Sequence, residues 1–426
     1  MQTGKTKITA KWFFVVLCLA FGMSATLNTG WLFSSYYQLT SVALNLNAAQ
    51  MGILLSITDA CGIAGYVIGG ILCDTIRPKA CIVIGSIGMA LFSLWCMTIP
   101  SYFSVIVICT GLVVFGIVFY WTACVRYAQN FGPEALSGKA TGFLYGLSGL
   151  IMLIYGNVIS GVIAGVDEVS GLRWLLGSST AILVVCAIAQ CIYDKEPWFG
   201  KGIDKVSTEG RFSFKMIGTV LSNPRYLLVL LVAALSISSA IAVTYMSPLL
   251  ASYYGASTAT VTLISTWANN GTLLILSFLT GYLVDKLGSA TKVLIASFCC
   301  MMVGVVLLLV TPWEPSKLFV VVITMVLVRC VNAIGKPGRV ALVAESGVPA
   351  AARGTATGLM FAATSIPGTF LYTIFGNMLT AHDGGPAGYR TIFVVFVFIG
   401  IAGIATVAAF AALNKKYKAS HAAGNE

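Results

Sequence analysis

Four basic residues and one acidic residue of this 426-residue chain lie inside long apolar runs, where few water molecules can reach them. The basic residues are Arg126, Arg329, Lys336 and Arg339, and the acid is Asp59. An ionisable group at bilayer depth costs roughly 2.5–3.5 kcal/mol on insertion scales, so each is a candidate functional residue. Arg126 is near the end of its run, where its side chain can snorkel to the membrane surface.

Three of the basic residues share one predicted helix with Asn332. At about 100° per residue, Arg329, Asn332, Lys336 and Arg339 fall within a face roughly 80° wide. Lipid cannot face such a stripe, so it must line water, substrate or a partner. Arginine offers a forked set of donors to carboxylate or phosphate, and lysine offers a point charge. The stripe therefore predicts an anion-binding site.

Two other roles are open for these cations. Arg329 and Lys336 could belong to structural ion pairs, and Arg339 could snorkel or pair with Glu345, six residues further on. Asp59 is the one acid inside the predicted spans, so the cations outnumber their possible partners. That surplus favours an anionic ligand.

Asp59 lies ten residues into its apolar run and fifteen residues before Asp74, close to the middle of the membrane. A carboxyl group at that depth could load and release a proton and so couple transport to a proton gradient. It could instead be the charge partner of a basic residue on the stripe. The sequence leaves both roles open.

Amide and aromatic side chains on other predicted helices could complete a cavity that suits a ligand with hydroxyl groups as well as charge. Ordinary packing would use the same residue types. The candidates are Asn28, Trp31, Tyr120 and Tyr245.

The composition shows which kind of fold must hold these residues. Hydrophobic residues make up 58% of the chain, charged residues make up 9%, and the mean hydropathy is +0.92. A soluble domain has about 25% charged residues, so a water-soluble globular fold is excluded.

Segments of spanning length, about 20 residues, follow one another to the end of the chain. We place twelve, at 12–34, 49–73, 80–99, 102–127, 139–164, 172–193, 225–249, 258–284, 291–311, 317–344, 353–380 and 390–413.

The net charge of +11 is explained by the positions of the basic residues. With twelve spans, eighteen basic residues fall on one side and three on the other, namely Arg173, Lys317 and Arg390. By the positive-inside rule both termini and the central loop are cytoplasmic. The excess charge is therefore a topological feature. It predicts contact with anionic lipid headgroups and no nucleic-acid partner.

The chain divides into two halves that repeat each other. Three short motifs recur in the same order: Gly70-Ile-Leu-Cys-Asp74 as Gly281-Tyr-Leu-Val-Asp285, Gly138-Lys-Ala-Thr-Gly142 as Gly354-Thr-Ala-Thr-Gly358, and Ile154-Tyr-Gly-Asn157 as Ile374-Phe-Gly-Asn377. Parallel six-span repeats are a known transporter plan. We predict an all-α membrane protein with a bundle at 1–193, a cytoplasmic linker at 194–224 and a second bundle with a short tail at 225–426.

Twelve spans, a long middle loop and a Gly-x-x-x-Asp loop after spans 2 and 8 resemble the Major Facilitator Superfamily. The C-terminal loop, from Gly281 to Gly288, fits the family pattern, whereas the N-terminal loop departs from it after Asp74. The resemblance implies that Asp74, Asp285 and Lys286 belong to loops that gate the cytoplasmic face. It also implies that spans 1, 4, 7 and 10 line a central cavity.

Other classes of chemistry have no support in the sequence. The twelve cysteines contain no Cys-x-x-Cys pair, there are two histidines, and no nucleotide-binding or nucleophile motif is present. We therefore predict no enzyme activity, no metal and no cofactor.

We predict that the protein is a monomeric secondary transporter in a bacterial inner membrane. It would work by alternating access. Its substrate would be a small organic anion, such as a carboxylate or a phosphorylated or sulfonated sugar. Two alternatives remain: efflux of a neutral or lipophilic compound, and a transporter-like membrane sensor.

Overall fold

The computed structural model of the protein describes residues 10–130, 137–193, 214–276, 286, 289–349 and 352–422. Three predicted functional groups lie outside the described part of the structure. They are Asp285 as a whole and the side chains of Asp74 and Lys336.

Helices form all the regular structure of the described residues. Those of the first half are α1 Ala10–Gly30, α2 Leu32–Ser35, α3 Tyr37–Ala43, α4 Ala48–Thr75, α5 Pro78–Cys96, α6 Tyr102–Val113, α7 Thr122–Asn130, α8 Ser137–Ile163 and α9 Glu168–Tyr193. Those of the second half are α10 Phe214–Leu221, α11 Pro224–Tyr254, α12 Thr258–Thr266, α13 at 272–276, α14 Ala290–Val310, α15 Leu318–Glu345, α16 Arg353–Ala381 and α17 Pro386–Ala422.

Eleven helices in the described ranges are long and apolar enough to cross a membrane. They match eleven of the twelve predicted spans, and the prediction of an all-α membrane protein is confirmed. The remaining span was predicted at 258–284, and the structure describes it only as far as residue 276.

Two spans contain a segment of π-helix that the sequence did not predict. Val114–Trp121 joins α6 to α7 within span 4, and Trp267–Gly271 joins α12 to α13 within span 8. A π segment adds a residue to a helical turn and is frequent at functional sites. Residues 114–121 are all apolar or glycine apart from the Tyr120 hydroxyl, so no hydrophobic periodicity marks the change of pitch.

The chain forms two compact units. Unit 1 consists of Met1–Leu46 with Ala64–Val206, and unit 2 consists of Asn47–Ile63 with Ser207–Glu426. The first part of α4 thus packs within unit 2. The division predicted from the sequence places these residues in the first bundle, and that division stays a prediction.

Unit 2 is built around α11, which packs against α15, α16 and α17. Asn223 caps the start of α11 by accepting hydrogen bonds from the backbone N–H groups of Arg225 and Tyr226. The helix ends at Gly255, whose φ of +65° is the left-handed conformation that glycine adopts without strain. In unit 1, α1 packs against α8 and α9.

Candidate functional site

The predicted stripe lies on one helix, α15, but its described members differ in their contacts. Arg329 is half-buried, and its Nη1 atom has no hydrogen-bond partner within the described part of the chain. One turn further on, Asn332 is 2% exposed and its Oδ1 atom likewise has no partner there. Buried polar groups are nearly always paired in native proteins, so an unpaired donor beside an unpaired acceptor needs an explanation.

Arg339, in contrast, is hydrogen-bonded to another helix of the protein. Its side chain is 2% exposed, and Nη1 donates to the Ala233 carbonyl at 3.2 Å and to Ser236 Oγ at 2.9 Å, both on α11. Neither snorkelling nor pairing with Glu345 describes this geometry, because Glu345 Oε2 accepts from Asn414 Nδ2 at 3.4 Å. Arg339 therefore ties α15 to α11, and its predicted contact with substrate stays a prediction.

Asp59 sits in a close contact between α4 and α16, within unit 2. A Cβ atom on Gly368 would overlap Asp59 Oδ2, so the carboxylate fits only because residue 368 has no side chain. One turn earlier, Ser56 Oγ donates to the Gly368 carbonyl at 3.3 Å. The same oxygen accepts from the Thr373 N–H at 3.0 Å.

Two further glycines let the helix backbones approach beyond this point. A Cβ on Gly52 would meet the Tyr372 carbonyl, and a Cβ on Gly376 would meet the Ala48 carbonyl. The Ala49 N–H donates to Thr380 Oγ1 at 3.1 Å. Gly376 lies in the third repeated motif, so the sequence marked its position without showing which helix it contacts.

Tyr372 borders the Asp59 carboxylate, and sequence reasoning missed it. It is 6% exposed, and the Cβ position on Gly368 that overlaps Asp59 Oδ2 lies 3.1 Å from Tyr372 Cε2. Its carbonyl accepts a 2.6 Å hydrogen bond from the hydroxyl of Tyr245, one of the predicted cavity residues. The structure thus brings Asp59 and Tyr245 together around Tyr372. No ion pair joins Asp59 to either described arginine of α15.

The other predicted residues lie in unit 1. Asn28 is buried and its Oδ1 accepts from the Tyr36 hydroxyl at 3.2 Å, while Tyr120 is fully buried. Trp31 is partly exposed, and its ring centroid lies 5.9 Å from that of Trp121 in the π segment. Trp121 in turn lies 5.9 Å from Tyr145.

Among the predicted gating residues, the structure describes the side chain of Lys286, which is exposed. It has a partner, so its exposure alone does not make it a free charge. The gating role of Asp74, Asp285 and Lys286 stays a prediction.

Comparison with models of protein families identifies the family that shares this arrangement of helices. The model of the Major Facilitator Superfamily matches residues 12–370 and, in a second alignment, residues 230–426. The chain belongs to the Major Facilitator Superfamily. The predicted family, its membrane-spanning character and its assignment to transport are thereby confirmed.

Solved structures of transporters share the fold. The nucleoside transporter NupG matches with a TM-score of 0.71 and 14% identity, over 94% of this chain and 98% of that chain. A mutant of NupG gives 0.74 at 14% identity, over 94% and 99%. A bacterial homologue of the human lysosomal transporter Spinster, inward-facing and unoccupied, gives 0.68 at 14% identity, over 96% and 97%. No curated protein sequence matches this chain. At 14% identity these likenesses establish the fold alone.

Proposed function

We propose that this protein is a secondary active transporter of a small organic anion, that it works by alternating access, and that Arg329 binds the negative charge. The observation that carries the proposal is the unpaired Nη1 atom of Arg329 inside a membrane-spanning helix. A guanidinium keeps its charge in proteins, so it needs an acceptor when it leaves water.

A second cation on the same helix strengthens the case. Arg339 lies ten residues after Arg329, and within the described structure its Nη1 is bound to the neutral oxygens of Ala233 and Ser236 while its Nε has no partner. Like charges repel more strongly in a low-dielectric interior than in water, so two cations on one buried helix favour an anionic ligand. An anion at Arg329 would give its Nη1 atom an acceptor.

Asn332 narrows the substrate class. Its unpaired Oδ1 atom is an acceptor one turn from the unpaired donor of Arg329. A ligand that satisfies both must carry an anionic group and, close to it, a hydroxyl or N–H donor. A sugar acid or a sugar phosphate meets that requirement. This pairing also favours a polar solute over the neutral or lipophilic compounds of the alternative prediction.

The orientation is part of the same proposal. The distribution of basic residues, eighteen on one side against three on the other, supports the proposal that both termini and the central linker are cytoplasmic. A bacterial inner membrane is the proposed location, and the protein is proposed to act as a monomer.

Binding by the purified protein tests the anion site directly. The probes are glucuronate, glucose 6-phosphate and, as the matched neutral sugar, glucose. We expect at least one anionic probe to raise the melting temperature in detergent while glucose does not. Arg329→Gln and Asn332→Ala should abolish that shift. Arg390→Gln, which changes an exposed arginine elsewhere on unit 2, is the matched control.

Uptake of the stabilising probe into proteoliposomes then tests transport. Wild-type protein and Arg390→Gln should accumulate it, and Arg329→Gln should not. The proposal is wrong if only glucose stabilises the protein, or if Arg329→Gln binds and transports the anion as the wild type does. Stabilisation without any uptake by the wild type would support the membrane sensor instead.

A further inference from the structure

We propose that Arg339 holds a resident inorganic anion, chloride, in a small buried site bordered by Gly335 and Ser236. This site is separate from the substrate site proposed at Arg329, and its anion would be a fixed counter-ion of the protein, not a transported solute. Arg339 and Gly335 lie on α15 and Ser236 lies on α11, all within unit 2.

The Arg339 guanidinium is bound at one nitrogen and unpaired at another. Nη1 donates to the Ala233 carbonyl and to Ser236 Oγ, whereas Nε has no hydrogen-bond partner in the described structure. The side chain is 2% exposed, so bulk water does not reach this N–H group. Buried donors without an acceptor are rare in native proteins, and this donor belongs to a charged group. An acceptor is therefore expected at Nε.

Gly335 leaves room for that acceptor. Side chains on a helix point toward its N-terminus, so Arg339 reaches back over the preceding turn. A Cβ atom on Gly335 would lie 3.5 Å from Ser236 Oγ and 4.0 Å from Arg339 Nε, which are ordinary contact distances. Because residue 335 has no side chain, an ion about the size of a methyl group can fit beside the unpaired N–H.

The charge of Arg339 favours an anion over a water molecule. The acceptors of its described hydrogen bonds are two neutral oxygens on α11. No described carboxylate is bonded to it, and the one acid of its own helix, Glu345, accepts from Asn414. A buried charge without a counter-charge is strongly unfavourable. Water would satisfy the N–H group but would supply no negative charge.

Ser236 can give the anion a second donor. Its hydroxyl donates to the Ala233 carbonyl at 3.0 Å. That carbonyl also accepts from Arg339 Nη1 at 3.2 Å, so the serine hydrogen can turn to the anion without leaving the carbonyl unpaired. Ser236 Oγ keeps its hydrogen bond from Nη1 in either orientation, because a hydroxyl has one hydrogen to donate and lone pairs that accept.

The position of the site favours a small inorganic ion. Gly335 is the last residue of the apolar span of α15, so an ion can arrive from the water at that end of the helix without crossing the apolar part of the membrane. Chloride is about the size of a methyl group, and its single charge is equal and opposite to that of Arg339. It accepts hydrogen bonds from several donors at once, as the Nε–H group and the Ser236 hydroxyl require.

The site is distinct from the one proposed at Arg329. Arg329 lies ten residues earlier on α15, which corresponds to about 15 Å along a helix at 1.5 Å per residue. One small anion cannot contact both guanidinium groups at that separation. Substitutions should therefore affect the two sites independently.

Thermal melts of the purified full-length protein in detergent test the chloride site. Sodium chloride would replace sodium fluoride at constant ionic strength, because fluoride is more strongly hydrated and loses more on entering a buried site. The melting temperature of the wild type should rise with chloride and level off at saturation, as expected for a ligand that binds the folded state.

Gly335→Ala is the decisive variant. Its methyl group takes the space beside Nε at ordinary contact distances, and alanine is the better helix former, so the variant should fold. Its melting temperature should no longer rise with chloride. Gly218→Ala on α10, where the added Cβ meets no atom within 4 Å, is the matched control and should respond as the wild type does. Arg329→Gln should also keep the response.

Crystals grown in sodium bromide locate the ion without any substitution. Bromide resembles chloride in charge and size, and its anomalous scattering marks its position. We expect a peak in contact with Arg339 Nε.

The proposal is overturned if chloride does not raise the melting temperature of the wild type above its value in fluoride, or if Gly335→Ala responds as the wild type does. A bromide peak away from Arg339, with none at Nε, also overturns it. A response lost in Arg329→Gln but kept in Gly335→Ala would place the ion at the proposed substrate site and would overturn the separate site alone. Glucuronate and glucose 6-phosphate test the proposed function independently, so the two failures are distinguishable.

Discussion

The carboxylate of Asp59 occupies the space that a side chain on Gly368 would need. A Cβ atom placed on Gly368 overlaps Asp59 Oδ2, and the next nearest atom outside that carboxyl group is Tyr372 Cε2 at 3.1 Å. An acid 309 positions earlier in the chain therefore depends on this glycine for its place within the membrane. The pair joins the middle of span 2 to the middle of span 11.

The first prediction concerns this pair. Gly368→Ala should lower the melting temperature of the wild-type protein, because overpacking costs roughly 1–3 kcal/mol. In the Asp59→Ala background the same substitution should be less destabilising, because the overlapping carboxylate is gone, the nearest remaining atom is Tyr372 Cε2 at 3.1 Å, and alanine is the better helix former by about 1 kcal/mol. Thermal melts of the four proteins measure the difference.

Gly161→Ala is the matched control, because a Cβ on Gly161 meets no atom within 4 Å. Its effect on the melting temperature should be the same with and without the Asp59 carboxylate. If Gly368→Ala were equally harmful in both backgrounds, the carboxylate would not be what occupies the space.

The sequence predicted the helix of the cationic stripe but not the contacts of its members. Periodicity placed a span at 317–344, and α15 runs from Leu318 to Glu345. Arg339 is hydrogen-bonded because Ser236 and Ala233 of another helix lie next to it. The hydrophobic pattern along one helix cannot show such a neighbour. The sequence suggested an anionic substrate, Glu345 or the membrane surface as the partner of Arg339, and in the structure its Nη1 atom donates to neutral acceptors.

The surroundings of Asp59 could not be predicted for a related reason. Glycine is frequent in this chain, with 44 residues, and it serves both close packing and helix flexibility. Gly368 follows Pro367, which locally suggests a helix kink, but nothing local shows that residue 368 faces a carboxylate on a distant segment. Tyr372 was missed likewise, as one of 17 tyrosines whose neighbours are set by tertiary packing.

The second prediction tests whether Arg339 has a structural role. Ser236→Ala should lower the melting temperature because it removes the acceptor that receives Arg339 Nη1 at 2.9 Å inside the protein. A hydrogen bond to a charged group is worth roughly 1.5–3 kcal/mol, and interhelical bonds in membrane proteins are often weaker, about 1 kcal/mol.

Ser238→Ala is the control for that measurement. The Ser238 hydroxyl donates to the Ala234 carbonyl of its own helix at 3.1 Å, and no hydrogen bond from it to a described residue of α15 is present. The melting temperature of Ser238→Ala should stay close to that of the wild type. Equal melting temperatures for the two variants would show that the bond between α11 and α15 contributes nothing measurable.

The third prediction concerns the last helix, α17, and the start of α11. Arg225 is 9% exposed, and its Cζ atom lies 3.5 Å from the centroid of the Tyr417 ring. Its Nη1 also donates to Asn414 Oδ1 at 3.4 Å. A guanidinium over an aromatic face contributes roughly 0.5–2 kcal/mol, and phenylalanine and tyrosine both provide such a face.

Tyr417→Leu should therefore lower the melting temperature, while Tyr417→Phe should retain most of the wild-type value, because leucine fills the volume without a π system. In the Arg225→Met background, which keeps an unbranched apolar side chain but removes the charge, the two substitutions should become equivalent. A difference between Leu and Phe that persisted without the guanidinium would mean that ring packing, rather than the cation–π contact, holds α17 against α11.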